Sequence, residues 1–419
     1  MRRLDVYLEQ QLIGQLLEQS GIWGFQYSPV WLRICNGLQV IHGLMLTDKT
    51  QWDAATERPI QWFFDNLLPE ENARAILAKD VKVAAGDSFA LLMAVGAESA
   101  GAITLLLPEH SLTAAEAIPL TAAELSSRID NLPQAPLNKR QRKRMSLAGA
   151  QHKMLVIYHQ GQLLEPAGQM PSTHILKPEH SQPELYPFTC RNEWFVMTLA
   201  SRCGLPVPPV DIIYVPQAAY IVKRFDRSGD YPQHSRLHMM DGCQLLGIPA
   251  AEKYRASDVQ HLVKLSQHCL RQGSTRLAIF RWVLFNALVG NGDAHLKNLS
   301  FHINLDGITL MPHYDLLSTI IYADIGKHLQ ENLSQPLGNA TTYAELTQAD
   351  VMAFASELNI APALAKRELQ QLLTAVPVQA EKLLQHVQNQ PAHNGTAGEL
   401  RMLRQICSLA IDEMVKRLV

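Results

Sequence analysis

Apolar and polar residues alternate at the start of the chain. Leu4, Val6 and Leu8 fall on one face of a two-residue period, which predicts a half-buried strand. Aromatic and turn residues continue to Trp31. WFFDNLLPEENARAILAKD then reads as a loop entering a helix, and FALLMAVGAESAGAITLLL as a buried helix followed by a strand. Glu98 and glycines interrupt that apolar stretch, so it does not read as a membrane span. Its GAESAGAI has the first half of a phosphate-loop spacing but neither the lysine nor the hydroxyl residue, which leaves a helix-to-strand turn. Residues 1–107 thus predict a small α+β domain.

From Pro108 the prolines and the basic run at 139–144 predict a surface connector over 108–145, with the capping-box spacing of a short helix at Thr121 and Glu124. THILKP is a short strand carrying one lysine. RNEWFVMTLASRCGLPVP is a helix that Gly204 stops, with Pro206 beyond. VDIIYV and AYIVKRF form a hairpin. After Lys253 the period turns helical, and from about Glu345 it stays so to Val419. The breaks are NGDAHLKN at 291–298 and two strands, LSFHI and ITLMPHYD, joined by the turn LDG.

A chain of 419 residues exceeds one core and predicts two or three domains. Its net charge of −2 gives no overall drive toward nucleic acid or an anionic membrane. The six cysteines form no CxxC pair, which argues against a zinc ribbon and fits a reducing compartment. No apolar signal region follows MRRLDVYLEQQ, so a cytoplasmic location with no membrane partner is expected.

The candidate chemistry lies in NGDAHLKN. A carboxylate beside the apolar run LAIFRWVLFNALVG is costly unless a partner or a metal compensates it. Phosphoryl transfer uses such groups: a carboxylate to orient the attacking hydroxyl, oxygen ligands for magnesium, and a lysine against the phosphates. In the kinase catalytic loop the base aspartate precedes a metal-binding asparagine by five positions, the spacing of Asp293 and Asn298. Asp315 follows a short hairpin, as a second metal-binding aspartate should. Lys177 is the candidate phosphate lysine, and Glu193 begins the next helix, where a kinase keeps that lysine's partner.

Plainer readings stand beside these. Asp293 and Asn298 could cap a turn, and Lys177 could be an ordinary strand lysine. An acid in a first helical turn, as Glu193 reads, is favoured by the helix dipole in any case. His295, His302 and His313 with Asp315 could suggest zinc, but they lack i, i+4 spacing and a strand turns alternate residues to opposite faces. Four features in the right order favour the kinase reading.

The motifs SLAGAQHK (146–153), HILKP (174–178), NEWFVMTLA (192–200), KRFDR (223–227), DGCQLLG (241–247), NGDAHLKN and YDLLST (314–319) carry a resemblance. With FFDNLLPEENAR and LLMAVGAESAGAI they make the chain resemble, over nearly its whole length, the HipA family of bacterial serine/threonine-protein kinases. These are the toxins of HipA–HipB type toxin–antitoxin pairs. The resemblance implies an α+β, two-lobed protein-kinase-like fold, with a mixed-sheet N-lobe over 146–250, a helical C-lobe over 251–419 and the additional small N-terminal domain.

It also implies ATP and Mg2+ as cofactors, Asp293 as catalytic base, Asn298 and Asp315 as magnesium ligands, and Lys177 on the ATP phosphates with Glu193 as its partner. Lys223, Arg224 and Phe225 would be the hinge that meets adenine largely through backbone groups. Ala148, Gly149, Ala150, Gln151, His152 and Lys153 would form the phosphate-side loop, His295 and Tyr314 would complete the ATP site, and Ser146 would be the autophosphorylation site that silences the kinase. The implied partners are a HipB-like helix-turn-helix antitoxin, which would carry the DNA binding, and a protein substrate such as an aminoacyl-tRNA synthetase, whose phosphorylation arrests growth.

Three positions depart from the family pattern: Lys223 where the hinge has an acid, His152 where the loop has one, and Met240 before Asp241 where an acidic pair is usual. Two rivals remain. Small-molecule kinases of the aminoglycoside or choline class share GDxHxxN but do not need an AGAQ loop. A pseudokinase acting as a binding module would not need all four core groups. The basic run is a solvated loop or an attractor of RNA or an acidic antitoxin surface.

Overall fold

The computed structural model describes residues 1–96, 98–132, 152–324, 326–389 and 396–419. Ser146, Ala148, Gly149, Ala150, Gln151 and the basic run lie outside the described residues. The chain divides into two units, one of Met1–Ser181, Ile213–Glu252 and Phe301–Ile308, the other of Gln182–Ile212, Lys253–Ser300 and Thr309–Val419.

The first unit opens with the predicted strand. Arg2–Leu8 lies in a five-stranded antiparallel sheet between Gln11–Gln19 and Ile103–Leu106, with Ile22–Tyr27 and Gln51–Trp52 beyond. Leu4 pairs with Leu16, and Leu16 with Phe25, and all three are fully buried. Phe64 stacks on Phe25 and Phe89 meets Trp23 edge-on, so two helices, Pro59–Asp65 and Ser88–Val95, cover the sheet. Here one expectation is corrected: WFFD ends a helix and is not a loop. Pro59 presets the first turn, and the Asp53 carboxylate accepts from the Ile60 and Gln61 amides at 2.9 Å each. That cap stands too far upstream for a local reading to find.

A second sheet in this unit runs Ala218–Lys223, His174–Pro178, Met154–His159, Gln162–Ala167 and Glu116–Pro119. Leu176 faces Met154 on one neighbour and Ile221 on the other, and these buried residues centre a core with Val156, Leu120 and Leu125. Each such fully buried aliphatic side chain contributes roughly 1.5–3 kcal/mol. Within the segment read as a connector, Glu116–Pro119 is thus a strand, and Ala122–Asp130 is a helix started by the Thr121–Glu124 capping box. Its Arg128 makes a bidentate, buried ion pair with Glu165 at 2.9 and 3.0 Å.

The second unit is mostly helical, as the period after Lys253 predicts. The C-terminal half of Gln272–Val289 is buried nearly all round, with Phe280, Trp282, Leu284 and Phe285 wholly buried, which makes it the central helix. Phe354 of Gln348–Glu357 stacks on Phe280, and Glu368 of Pro362–Gln388 accepts from Arg281 at 2.8 Å. Thr189–Arg202 ends at Cys203, and Gly204 follows with φ +76 as the expected stop. No described helix is long and apolar enough to cross a membrane.

Candidate active site

The central helix delivers the catalytic loop. Its backbone turns at Gly290 (φ +67), and Gly290 accepts from the Thr319 amide at 2.8 Å while the Thr319 hydroxyl accepts from Gly292 at 2.8 Å. Asn291, fully buried, donates to Asn286 Oδ1 at 2.8 Å and accepts from the Asp293 amide at 3.1 Å. The Asp293 carbonyl then accepts from the His295 amide at 3.0 Å, and the His295 carbonyl from Asn298 at 2.9 Å. Gln335 Nε2 donates to the Ala294 carbonyl. The backbone from 290 to 298 is therefore tied at several points, from within the loop and by neighbouring residues, which sets where the Asp293 and Asn298 side chains start. The turn-capping reading accounts for none of these outer contacts.

The loop depends on Gly290 having no side chain. A Cβ there would lie 2.3 Å from Ile320 Cγ1, in a left-handed backbone that L-residues disfavour. Gly290→Ala is expected to cost about 2–4 kcal/mol, about 1 from the backbone and the rest from overpacking. Urea unfolding checks this; a loss below about 0.5 kcal/mol would show that Ile320 simply moves aside.

Asp293 is half-buried, and the Tyr254 hydroxyl donates to its Oδ1. The Tyr254 ring packs edge-on against His295 at 4.9 Å and beneath the Lys253 ammonium at 5.0 Å. Asn298 is buried. The Tyr314 hydroxyl lies 2.5 Å from the Lys297 carbonyl and 2.8 Å from Ser300 Oγ, which clamps the segment carrying Asp315 to the one carrying Asn298. Asp315 itself has φ +59, a left-handed backbone that aspartate tolerates better than most residues and that often marks functional positions. Beyond it, Asn192 donates to the Ser318 carbonyl and accepts from the Ser318 amide, both at 2.8 Å.

Asp293, His295, Asn298, Tyr314 and Asp315 thus come together in the second unit. His302 belongs to the first unit, and among the described residues no group of three or more histidine, cysteine, aspartate or glutamate side chains could hold a metal ion, which leaves the zinc reading without support. Glu193 also belongs to this unit, and its position corrects an expectation. The helix starts at Thr189 behind Phe188, so Glu193 stands past the first turn and is buried. A favourable helix dipole does not explain it there.

Lys177, Lys223, Arg224, Phe225, His152 and Lys153 lie in the first unit. Lys177 is only 5% exposed, unlike an ordinary strand lysine, and its ammonium lies 5.8 Å from the ring centre of Tyr220 on the paired strand. Lys223 is exposed and makes a surface contact to Asp230 at 3.9 Å, which contributes little. The Arg224 amide donates to the Thr173 carbonyl at 2.9 Å, and its guanidinium is buried. Burial, and then His180, hold His152 below the ordinary imidazole value.

Sequence reasoning missed Asn192, Asn291, Tyr254 and Thr319. Asn192, Asn291 and Thr319 stood inside quoted motifs, NEWFVMTLA, NGDAHLKN and YDLLST, but the partners of Asn192 and Thr319 lie far along the chain.

The HipA N-terminal domain family matches residues 4–106, and the HipA-like C-terminal domain family matches 145–382. The Sinorhizobium fredii protein Y4mE, named as a kinase, is 34% identical over 405 residues, 92% of each chain. The serine/threonine-protein kinase toxin HipA of Shewanella oneidensis is 31% identical over 368 residues, 81% of each chain. A structure of the HipA, HipB and operator DNA complex of Shewanella oneidensis matches with a TM-score of 0.83 at 25% identity, covering 99% of this chain and 97% of that one. With both domains of the family matched along one chain, and the kinase-like fold with its N-terminal domain shared throughout, the chain belongs to the HipA family of serine/threonine-protein kinases.

Proposed function

We propose that this kinase transfers the γ-phosphoryl group of ATP to a serine or threonine hydroxyl of another protein. The observation that carries the reading is the constrained loop from Gly290 to Asn298, with its Asp293 carboxylate half-buried and the Asp315 segment clamped beside Asn298. In the transfer, the bond from the γ-phosphorus to the β,γ-bridging oxygen breaks and one to the hydroxyl oxygen forms. Asp293 orients that hydroxyl and takes its proton. Lys177 would lie against the phosphates, and Lys223 to Phe225 would meet adenine largely through backbone groups. Glu193 would pair with Lys177, and His295 and Tyr314 would border the nucleotide.

The donor set fits magnesium. The Asn298 amide oxygen and the Asp315 carboxylate are hard oxygen donors on segments that the Tyr314 clamp holds side by side. Asn298 and Asp315 would hold the ion, which supplies positive charge against the phosphates when bound. The protein's own contribution is positioning and a fixed electrostatic frame.

The same reading makes the chain the toxin of a type II toxin–antitoxin pair, acting in the cytoplasm to arrest growth. The Shewanella oneidensis relative is named a toxin, and its structure is a complex with HipB and operator DNA. A HipB-like antitoxin would restrain the kinase and contact DNA on its behalf. An aminoacyl-tRNA synthetase is the substrate the family resemblance favours, and autophosphorylation at Ser146 would silence the kinase.

Intact mass after incubation with magnesium and ATP tests the reading, with peptide mapping of any adduct. One added phosphate at Ser146 is expected, and Ser146→Ala should show none there and keep phosphorylating protein substrate after the wild type has stopped. Phosphate on choline or an aminoglycoside but on no protein would give the site to a small-molecule kinase. Failure to bind ATP in excess magnesium would make the chain a pseudokinase binding module.

A further inference from the structure

The hinge motif KRFDR and the turn GAESAGAI read from the sequence as separate features, but in the first unit they share one buried ion cluster. Arg224 donates to both oxygens of Asp226, at 2.8 and 2.5 Å. Arg227 lies 3.0 Å from Asp226 Oδ2 and 3.1 Å from Glu98 Oε1. The turn answers with two groups. Glu98 Oε1 takes the Arg227 contact and accepts from the Ser172 amide and hydroxyl at 3.1 and 2.9 Å, while the Gly101 amide donates to Asp226 Oδ2 at 2.8 Å. Ser172 Oγ in turn accepts from Arg224 at 3.1 Å. The side chains of Glu98, Arg224, Asp226 and Arg227 are 1, 2, 5 and 3% exposed.

Charge makes the arrangement directional. The hinge brings two guanidiniums and one carboxylate into the cluster, a net positive charge that burial makes costly. Glu98 offsets that excess, which the neighbouring Arg236 enlarges: its guanidinium donates to the Gly101, Ser99 and Ile103 carbonyls of the same turn and to the Thr104 hydroxyl. Burial alone would raise the pKa of Asp226, but Arg224 and Arg227 hold it well below the ordinary carboxylate value, so it counts as charged. The backbone follows the side chains, because the Arg224 amide is bound to the Thr173 carbonyl next to Ser172. The turn's approach is close enough to need glycine: Gly101 has φ +70, and a Cβ there would lie 2.9 Å from the Met239 nitrogen.

We propose that Glu98 and the Gly101 amide are positioning groups for the nucleotide, fixing the Lys223–Phe225 backbone so that the N-terminal domain is part of the ATP-binding apparatus. This rests on the reading of Lys223–Phe225 as the adenine hinge. Glu98 touches no substrate; it acts through Arg224, Asp226 and Arg227.

The test uses the full chain, calorimetric titration with magnesium and a non-hydrolysable ATP analogue, and initial rates across ATP concentrations. Glu98→Gln keeps the shape and removes the charge. It should weaken nucleotide binding and raise KM for ATP tenfold or more, with kcat within twofold. Ser172→Ala removes one hydroxyl and should give about a threefold rise, and it carries the test if Glu98→Gln does not fold. Folded variants that melt earlier but bind the nucleotide as the wild type does would overturn the inference and leave a purely structural cluster. If the wild type itself fails to bind the analogue, the hinge reading falls and the inference with it.

Discussion

Asp293→Asn is expected to lower protein phosphorylation at least about a thousandfold, close to 4 kcal/mol in activation free energy, with the fold and ATP binding unchanged. The substitution is nearly isosteric. The backbone contacts that hold position 293, its amide donating to Asn291 Oδ1 and its carbonyl accepting from the His295 amide, do not involve the carboxylate, and an amide oxygen still accepts from Tyr254. What is lost is a group that can accept the proton of the attacking hydroxyl. Because the transfer has little other covalent chemistry for the protein to perform, that loss falls on kcat rather than on ATP affinity. Single-turnover phosphotransfer at saturating ATP, alongside nucleotide titration, separates the two. A variant within tenfold of the wild-type rate would sink the assignment of Asp293 as base. A variant that has also lost ATP affinity would mean that the side chain shapes the nucleotide site instead. In cells, growth arrest on expression should disappear at matched protein levels.

What could be read ahead of the structure was what is local in the chain. The Thr121–Glu124 capping box needs only a spacing of three, and Gly204 ends its helix because one residue has left-handed freedom. The pairing of Asp293 with Asn298 is a single short loop, and the family motifs are likewise continuous. The failures have the opposite character. The helix Pro59–Asp65 is capped by Asp53 from outside the window that reads as a loop. The helix carrying Glu193 begins behind Phe188, a bulky residue at φ +59 that no propensity favours and that only tertiary packing can impose.

The site divides the same way. Asp293 and Asn298 announce themselves, but Tyr254 reaches Asp293 from 39 positions away and Asn192 reaches Ser318 from 126. GAESAGAI is the sharpest case. Tested against a phosphate loop it fails, and its Glu98 looks like an interruption in an apolar run. Its meaning lies in the charge of KRFDR, more than a hundred residues on, where Arg227 meets it. A single sequence holds both halves without indicating that they meet.

Acid should unfold the protein earlier than its carboxylates alone would require, and His238 is the residue that reports why. It is 6% exposed, and its Nε2 lies 2.8 Å from the Val40 carbonyl, an acceptor that keeps that nitrogen protonated and leaves the ring neutral. Burial, first among the causes, pushes its pKa down to about 4. His174 is similarly held at about 4 by burial and then by Lys223 on the paired strand, and Thr173 Oγ1 lies 2.7 Å from its Nδ1. In the unfolded chain both rings titrate near about 6.5. The sign follows: above about pH 6.5 neither state takes up the proton and the stability is fully present, while between about 6.5 and 4 the unfolded chain binds protons that the folded chain refuses. The difference for His238, about 2.5 pH units at about 1.4 kcal/mol each, amounts to roughly 3 kcal/mol lost by pH 4. His174, held at about the same value, adds a loss of the same sign. Urea unfolding at pH 7, 6, 5 and 4.5 measures the slope. His238→Gln can still donate to Val40 but cannot titrate, so its stability should fall less steeply, by close to one proton over the window. An unchanged slope would show that His238 accepts a proton in the folded state and that water reaches it where the structure places protein.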